Sequence, residues 1–291
     1  MYAFLLIFLY LCSVTFQYID FIMDPKSVLF VSQEIAPYTP ETGKSIIGRQ
    51  LPQWIHDAGY AVRTFMPRWK NINERRHQLH EVIRLSGMNL IIEGIDHVLV
   101  IKVASLLGTR LQVYFIDSDD YFRKVPQDAY NDEEFNADNS NRMTFYARGV
   151  LETVKKLRWR SDVVHCQGWT SALAPLYLKT SYCDDPSFVE SKVVFSIFED
   201  DLPAGLQDDF AHKIVMRGLT DKDLAKLEPI PNDYASLLIF ALKYSDGVAL
   251  HTENIPDSVR EYISTSGLPC VQCSGEKEED TAKLVELYEK I

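Results

Sequence analysis

The chain has 291 residues, 46% of them hydrophobic and 24% charged, the proportions of a globular protein with ample material for a core. A formal net charge of −11 leaves no basic stripe to neutralise phosphates, which argues against nucleic acid and anionic membrane surfaces as partners. Of five cysteines only Cys270 and Cys273 form a C-x-x-C pair, with no second pair and no histidine at ligand spacing. That argues against a zinc module and fits a reduced, cytoplasmic protein.

In chain order, residues 1–22, "MYAFLLIFLYLCSVTFQYIDFI", contain no Lys or Arg. Their apolar stretch is signal-peptide-sized and shorter than the roughly 20 residues that span a bilayer, but the positive n-region of a secretory signal is missing. Met23 stands directly before the first strand pattern, so 1–22 read as the product of a misassigned start, the other reading being a signal or anchor. The body, 23–273, alternates buried-strand runs with amphipathic helices. Strands are predicted over 27–32 and 60–67, around a helix over 44–58. The runs "HEVIRLS", "MNLIIEG", "HVLVIKVA" and "RLQVYFID", punctuated by Gly87, Gly94 and Gly108, predict a β-meander over 80–116. Helices follow over 143–156 and 169–180 with a strand at 162–166 between them. A strand at 192–198, a helix at 235–244, a strand at 246–251 and a helix at 256–264 complete the body. Residues 274–291 read as a polar hinge and a terminal amphipathic helix from 281. The fold class is α/β: one Rossmann-like, doubly wound, mostly parallel sheet with a β-meander insertion. Ligands in such sheets bind beyond the carboxyl ends of the strands, here the loops after Val31, Val164 and Ile197.

The first of these loops ends in Gly43-Lys44-Ser45 before a helix, as a phosphate-binding P-loop does. The motif needs a glycine five positions before Gly43, so that successive backbone N–H groups can curl around phosphates. That position is Tyr38, and Pro37 and Pro40 beside it have no N–H to offer. A P-loop nucleotide hydrolase is therefore the disfavoured reading.

Several blocks in the same order and spacing, from about Lys26 to Ile263, resemble the N-terminal catalytic domain of bacterial glycogen synthases and plant starch synthases. They are "VLFVSQEIAPY", "GRQLPQWIHDAGYAVRTFMPRW", "VYFIDSDDYF", "DNSNRMTFYARGVLE", "LRWRSDVVHCQGWTSALAPLYLK" and "KVVFSIF". The resemblance implies one half of a GT-B glycosyltransferase. In that family ADP-glucose binds between two Rossmann-like domains, and its glucosyl unit passes with retention to the end of an α-1,4-glucan. No metal or other cofactor is implied.

At the chemistry the sequence departs from the family. The family's first loop carries Lys-x-Gly-Gly-Leu, and in gapless register those positions are Pro40, Thr42, Gly43 and Lys44. One glycine survives, and Lys44 stands four residues late, with a charge that could still reach a phosphate. In Val164-His165-Cys166-Gln167-Gly168-Trp169 the first His and the Trp of the family's block remain, while Gln167 replaces its second His and Gly168 its functional Asp. After the strand at 192–198, Phe198 stands for the active-site His and Glu199 for the Asn that follows. Neither Gly nor Phe supplies the lost charge or hydrogen bonds.

Each candidate binding residue carries two readings. His165 is a sugar ligand or a hydrogen-bonded structural histidine. Trp169 offers a face to a sugar ring or packs in the core. Asp138, Asn139 and Arg142 keep the family's Asp-Asn-x-x-Arg and serve a ligand or a helix N-cap. The run Glu199, Asp200, Asp201 does acid–base or metal work or forms a solvated loop. After "TENIPDSVREYI" the family's second domain is not found, and "TAKLVELYEKI" resembles its closing helix. The expected function is a glycogen/starch-synthase-like domain without autonomous turnover. Its partners are a nucleotide sugar or an α-glucan, and a protein partner supplying a second domain would restore transfer on mixing. The rival is a non-catalytic nucleotide-sugar-, glucan- or protein-binding domain.

Overall fold

In the computed structural model, which describes residues 25–123, 139–200, 202, 206, 210–219 and 231–291, β1 (Ser27–Ser32) is buried at every position. Its side chains alternate between two cores, as a strand's must. Leu29 and Val31 enter the larger one, while Val28 and Phe30 enter a second on the opposite face. The remaining strands are β2 (Ala61–Pro67), β3 (His80–Glu81), β4 (Met88–Ile92), β5 (Ile95–Ser105), β6 (Gln112–Asp117), β7 (Val163–Gln167), β8 (Lys192–Ile197), β9 (Gly247–Leu250) and β10 (Cys270–Gln272). They form one sheet in the order β10-β9-β8-β7-β1-β2-β6-β5-β3, with β4 paired to β5. The seven strands from β10 to β6 are parallel, and β5 pairs antiparallel with β3, β4 and β6. This is the doubly wound sheet with a meander that the alternation predicts. From β1 the chain winds to β2 on one side and later to β7 on the other, so the β1–β7 seam is the topological switch point.

Seven α-helices are described: α1 (Gly43–Asp57), α2 (Asn139–Leu157), α3 (Ala174–Lys179), α4 (Phe210–Lys213), α5 (Tyr234–Lys243), α6 (Asp257–Ser266) and α7 (Lys277–Lys290). None of the described helices is long and apolar enough to cross a membrane. The expected helix over 169–180 divides into a 3₁₀ turn, Trp169–Ser171, and α3. Pro175 sits at the start of α3 and lacks the N–H that a continuous helix would need there. The expected strand over 80–86 stops at Glu81, because the N–H groups of Leu85 and Ser86 turn back onto Val82 O at 2.8 and 3.0 Å.

The carboxyl end differs most from expectation. Residues 270–272 form an edge strand, and α7 begins at Lys277 rather than 281. The acidic run that reads as a hinge is a helix N-terminus: Glu278, Glu279 and Asp280 lie in its first turn, where the helix dipole favours negative charge. Asp280, fully buried, accepts the N–H groups of Ser274 and Gly275, both at 2.8 Å. Leu284, Leu287 and Tyr288 of α7 then complete the second core against Val28, Phe30, Trp54 and Val194. The helix docks on this domain. Replacing Leu287 by Ala is expected to cost about 2–5 kcal/mol in urea unfolding. Exposed Glu286→Ala on the same helix should stay within about 0.5 kcal/mol.

Candidate functional site

The loop from Gln33 to Thr42 leaves the carboxyl end of β1 and is tied down by its own amides. The N–H of Gln33 donates to Gln167 O, that of Ala36 to Ser45 O, and those of Tyr38 and Thr39 to Ile35 O, at 3.0–3.2 Å. Thr42 caps α1 in a capping box with Ser45, spending the N–H of both residues. The N–H groups of Gln33, Ala36, Tyr38, Thr39, Thr42 and Ser45 are thus satisfied inside the chain rather than turned outward as in a phosphate cradle. Gly43 has no neighbour within 4 Å of where a Cβ would be, so it is not sterically required. Gly48 is the glycine that matters: a Cβ there would lie 2.2 Å from Glu34 O, so only Gly lets α1 approach this loop.

That approach brings Lys44 to Glu34. The Lys44 ammonium lies 3.7 Å from the Glu34 carboxylate and bonds to Asp200 beyond β8. Its side chain is 10% exposed, so the charge is held between two carboxylates rather than in solvent. Thr42 Oγ1 also donates to Glu34, at 3.0 Å. Gln33 Nε2 approaches Asp200 at 3.4 Å, while Gln33 Oε1 accepts from Thr170 N at the same distance.

Gly168 has φ +83° and ψ 166°, a conformation costly for any other residue. A Cβ there would meet Gln33 Oε1 at 2.6 Å. The position expected to carry an Asp is therefore filled from across the seam by a glutamine. Beside it, Gln167 Oε1 accepts from Ser32 Oγ at 2.6 Å, while its buried Nε2 has no partner. Trp169 is 6% exposed and belongs to the larger core, so its ring faces protein.

At the end of β8, Phe198 stacks on His251 beyond β9, with ring centroids 4.6 Å apart and planes 7° from parallel. His251 Nε2 lies 3.0 Å from Ser196 Oγ, which lies 2.6 Å from His165 Nε2; His165 Nδ1 meets Tyr288 of α7 at 2.5 Å. A neutral histidine has one donor and one acceptor nitrogen, so Tyr288 and Ser196 take opposite hydrogen-bonding roles toward His165. Burial pushes the fully enclosed His165 down to about 3, with the neighbouring His251 contributing, and holds His251 down to about 4. His165 thus ties the terminal helix to the cleft floor. Asn139 and Arg142 are both buried; Arg142 Nε donates to Tyr121 O at 2.9 Å and Nη1 to Asn139 Oδ1 at 3.3 Å, clamping the turn after β6. Asp138 and Asp201 lie outside the described residues. Glu199 accepts from Asn254 Nδ2 at 2.8 Å. Among the described residues no cluster of His, Cys, Asp and Glu has the geometry to hold a metal.

Gln33, Glu34, His251 and Tyr288 escape the sequence reading. The first two directly follow the carboxyl end of β1, a signal that could have marked them. The other two reach the site only through tertiary packing.

A model of the starch synthase catalytic domain family matches residues 27–267. The chain belongs to that family. The glycogen synthase of Chlorobium chlorochromatii (strain CaD3) is 34% identical over 235 residues, 79% of this chain and 46% of that protein. The glycogen synthase of Pelodictyon phaeoclathratiforme (strain DSM 5477 / BU-1) is 34% identical over 172 residues, 58% of this chain and 35% of that protein. The chain thus spans less than half the length of these relatives. The catalytic domain of starch synthase IV from Arabidopsis thaliana, bound to ADP and acarbose, superposes with a TM-score of 0.68 at 16% identity, over 85% of this chain and 51% of that one. That likeness establishes the fold, the mostly parallel α/β architecture of the GT-B catalytic domain.

Two outcomes follow for this synthase-family domain. Gly168→Ala should destabilise it by about 1–3 kcal/mol from backbone strain, and adding Gln33→Ala should recover only the steric part. The second concerns pH. Both relay histidines have folded-state pKa values below the unfolded value near about 6.5, so the unfolded chain binds more protons in acid. Their contribution is complete above that pH and is lost as pH falls toward about 4 for His251 and about 3 for His165. Urea midpoints at pH 7.5, 6 and 5 should show a loss of about 1.4 kcal/mol per pH unit below 6.5 from His165, and up to as much again from His251.

Proposed function

We propose that this domain is a glycogen/starch-synthase-type glycosyltransferase domain that holds an α-glucan at the carboxyl ends of β1, β7 and β8 and does not by itself transfer glucose from ADP-glucose. The observation that carries the reading is the neutralisation of Lys44 by Glu34 and Asp200. Transfer from a sugar nucleotide needs preorganised positive charge where the diphosphate leaves. Here the loop's cation is committed to carboxylates, and much of its backbone N–H supply is spent within the chain. Carboxylates and carboxamides grouped as Glu34, Asp200 and Gln33 suit neutral sugar hydroxyls, which both donate and accept. Two further features support the absence of transfer: Gly168 and Phe198 stand where the family has an Asp and a His, and the Phe198 ring is stacked against His251. Of the ligands in the starch synthase IV structure, ADP and acarbose, the sugar-like one is the one this cleft is assigned.

Incubation with labelled ADP-glucose and glycogen should incorporate no glucose above a no-protein control. Maltoheptaose at about 100 times its dissociation constant should add about 2.7 kcal/mol of stability in thermal unfolding, while ADP-glucose adds none. Incorporation by the purified chain would overturn the reading.

A further inference from the structure

We propose that Asp200 is a built-in occupant of the cleft's anion position, latching Lys44 and excluding the phosphates of a nucleoside diphosphate. This rests on the reading that the cleft does not turn over ADP-glucose, and it gives that reading a cause. Lys44 lies in the first turn of α1, where the helix dipole adds to the attraction for an anion. The anion it meets belongs to the protein: the same Asp200 oxygen that bonds to the Lys44 ammonium is 3.4 Å from Gln33 Nε2. An ammonium and a carboxamide N–H converging on one oxygen is a donor set that a phosphate oxygen could also use.

The latch is assembled from three places in the sequence. Gly48 lets α1 close onto the Glu34 carbonyl, which sets Lys44 beside Glu34 and Asp200. Gly168 leaves the space in which the Gln33 carboxamide lies, and Thr170 N anchors its oxygen at 3.4 Å. The loop beyond β8 then delivers Asp200, whose side chain is 19% exposed. At this seam the buried Gln167 Nε2 is a further donor without a partner. One ammonium between two carboxylates leaves a formal charge of −1, so an entering diphosphate meets repulsion unless a carboxylate is removed. With Asp200 neutral the formal charge is zero, and the ammonium and the Gln33 amide become available together.

The test is calorimetric titration of ADP into the full chain at low ionic strength, in wild type, Asp200→Asn and Lys44→Met/Asp200→Asn. Wild type should bind ADP weakly or not at all. Asp200→Asn should bind it at least tenfold more tightly, with an affinity that falls as salt is added, and the double variant should return to the wild-type level. Equal ADP affinity in wild type and Asp200→Asn would overturn the latch, as would a gain that survives loss of Lys44. Asp200→Ser, smaller and also neutral, is carried through the same titrations, so that poor folding of one variant does not decide the outcome. The two proposals fail separately. Glucose transfer by the wild type defeats the functional reading, whereas an unchanged ADP affinity on neutralising Asp200 defeats the latch and leaves the absence of transfer standing.

Discussion

The seam between β1 and β7 is the constraint around which the rest of the molecule is arranged. Because the chain winds away from β1 in opposite directions, the loops beyond the carboxyl ends of these two strands meet each other. They meet by interlocking. The Gln33 carboxamide fills the space that Gly168 leaves, Ser32 bonds to Gln167 at 2.6 Å, and the Gln33 N–H continues the ladder onto Gln167 O at 3.0 Å. Tyr146 of α2 lies beneath, its hydroxyl 2.7 Å from Ser32 O and 3.0 Å from Phe65 O. The one hydroxyl hydrogen of Tyr146 is thereby shared between these two carbonyls from below, and the side chains above them are left to define the cleft.

From that seam the electrostatics follow. Bringing Lys44 to 10% exposure requires compensating charge, since an unpaired buried ammonium is too costly to keep. Glu34 and Asp200 supply it, and the same pairing removes the positive charge a sugar nucleotide would need. Stability and function here pull on the same atoms: the contacts that hold the loop are the contacts that close it to anions.

A second buried chain of hydrogen bonds links the cleft floor to the terminal helix. Tyr288, His165, Ser196 and His251 are consecutive members of one hydrogen-bonded run, and Phe198 covers its cleft end. Phe198, where the resemblance leads one to expect a histidine, instead stacks its apolar ring on the neighbouring imidazole of His251. His165 keeps its identity in the sequence block that carries the resemblance, yet its two ring nitrogens are spent on structure. Identity at a motif position and chemistry at that position are separate matters.

The sequence by itself determined the α/β class, the parallel order of runs, the meander and the family. Each of these rests on local periodicity, on β-branched strand runs or on blocks of residues in order. It also singled out Gly168 and Phe198, which lie within the blocks that carry the resemblance, and Lys44, which lies between two of them. Only the tertiary structure decided what those residues do. Lys44 is neutralised by Asp200, 156 positions away, and His165 is hydrogen-bonded to a tyrosine 123 positions away. Gly168 is required by a side chain from another loop. Pairings over such separations leave no periodic trace in the chain. They arise when the sheet brings its strand ends together, and the cost of an unsatisfied buried group then selects the partners.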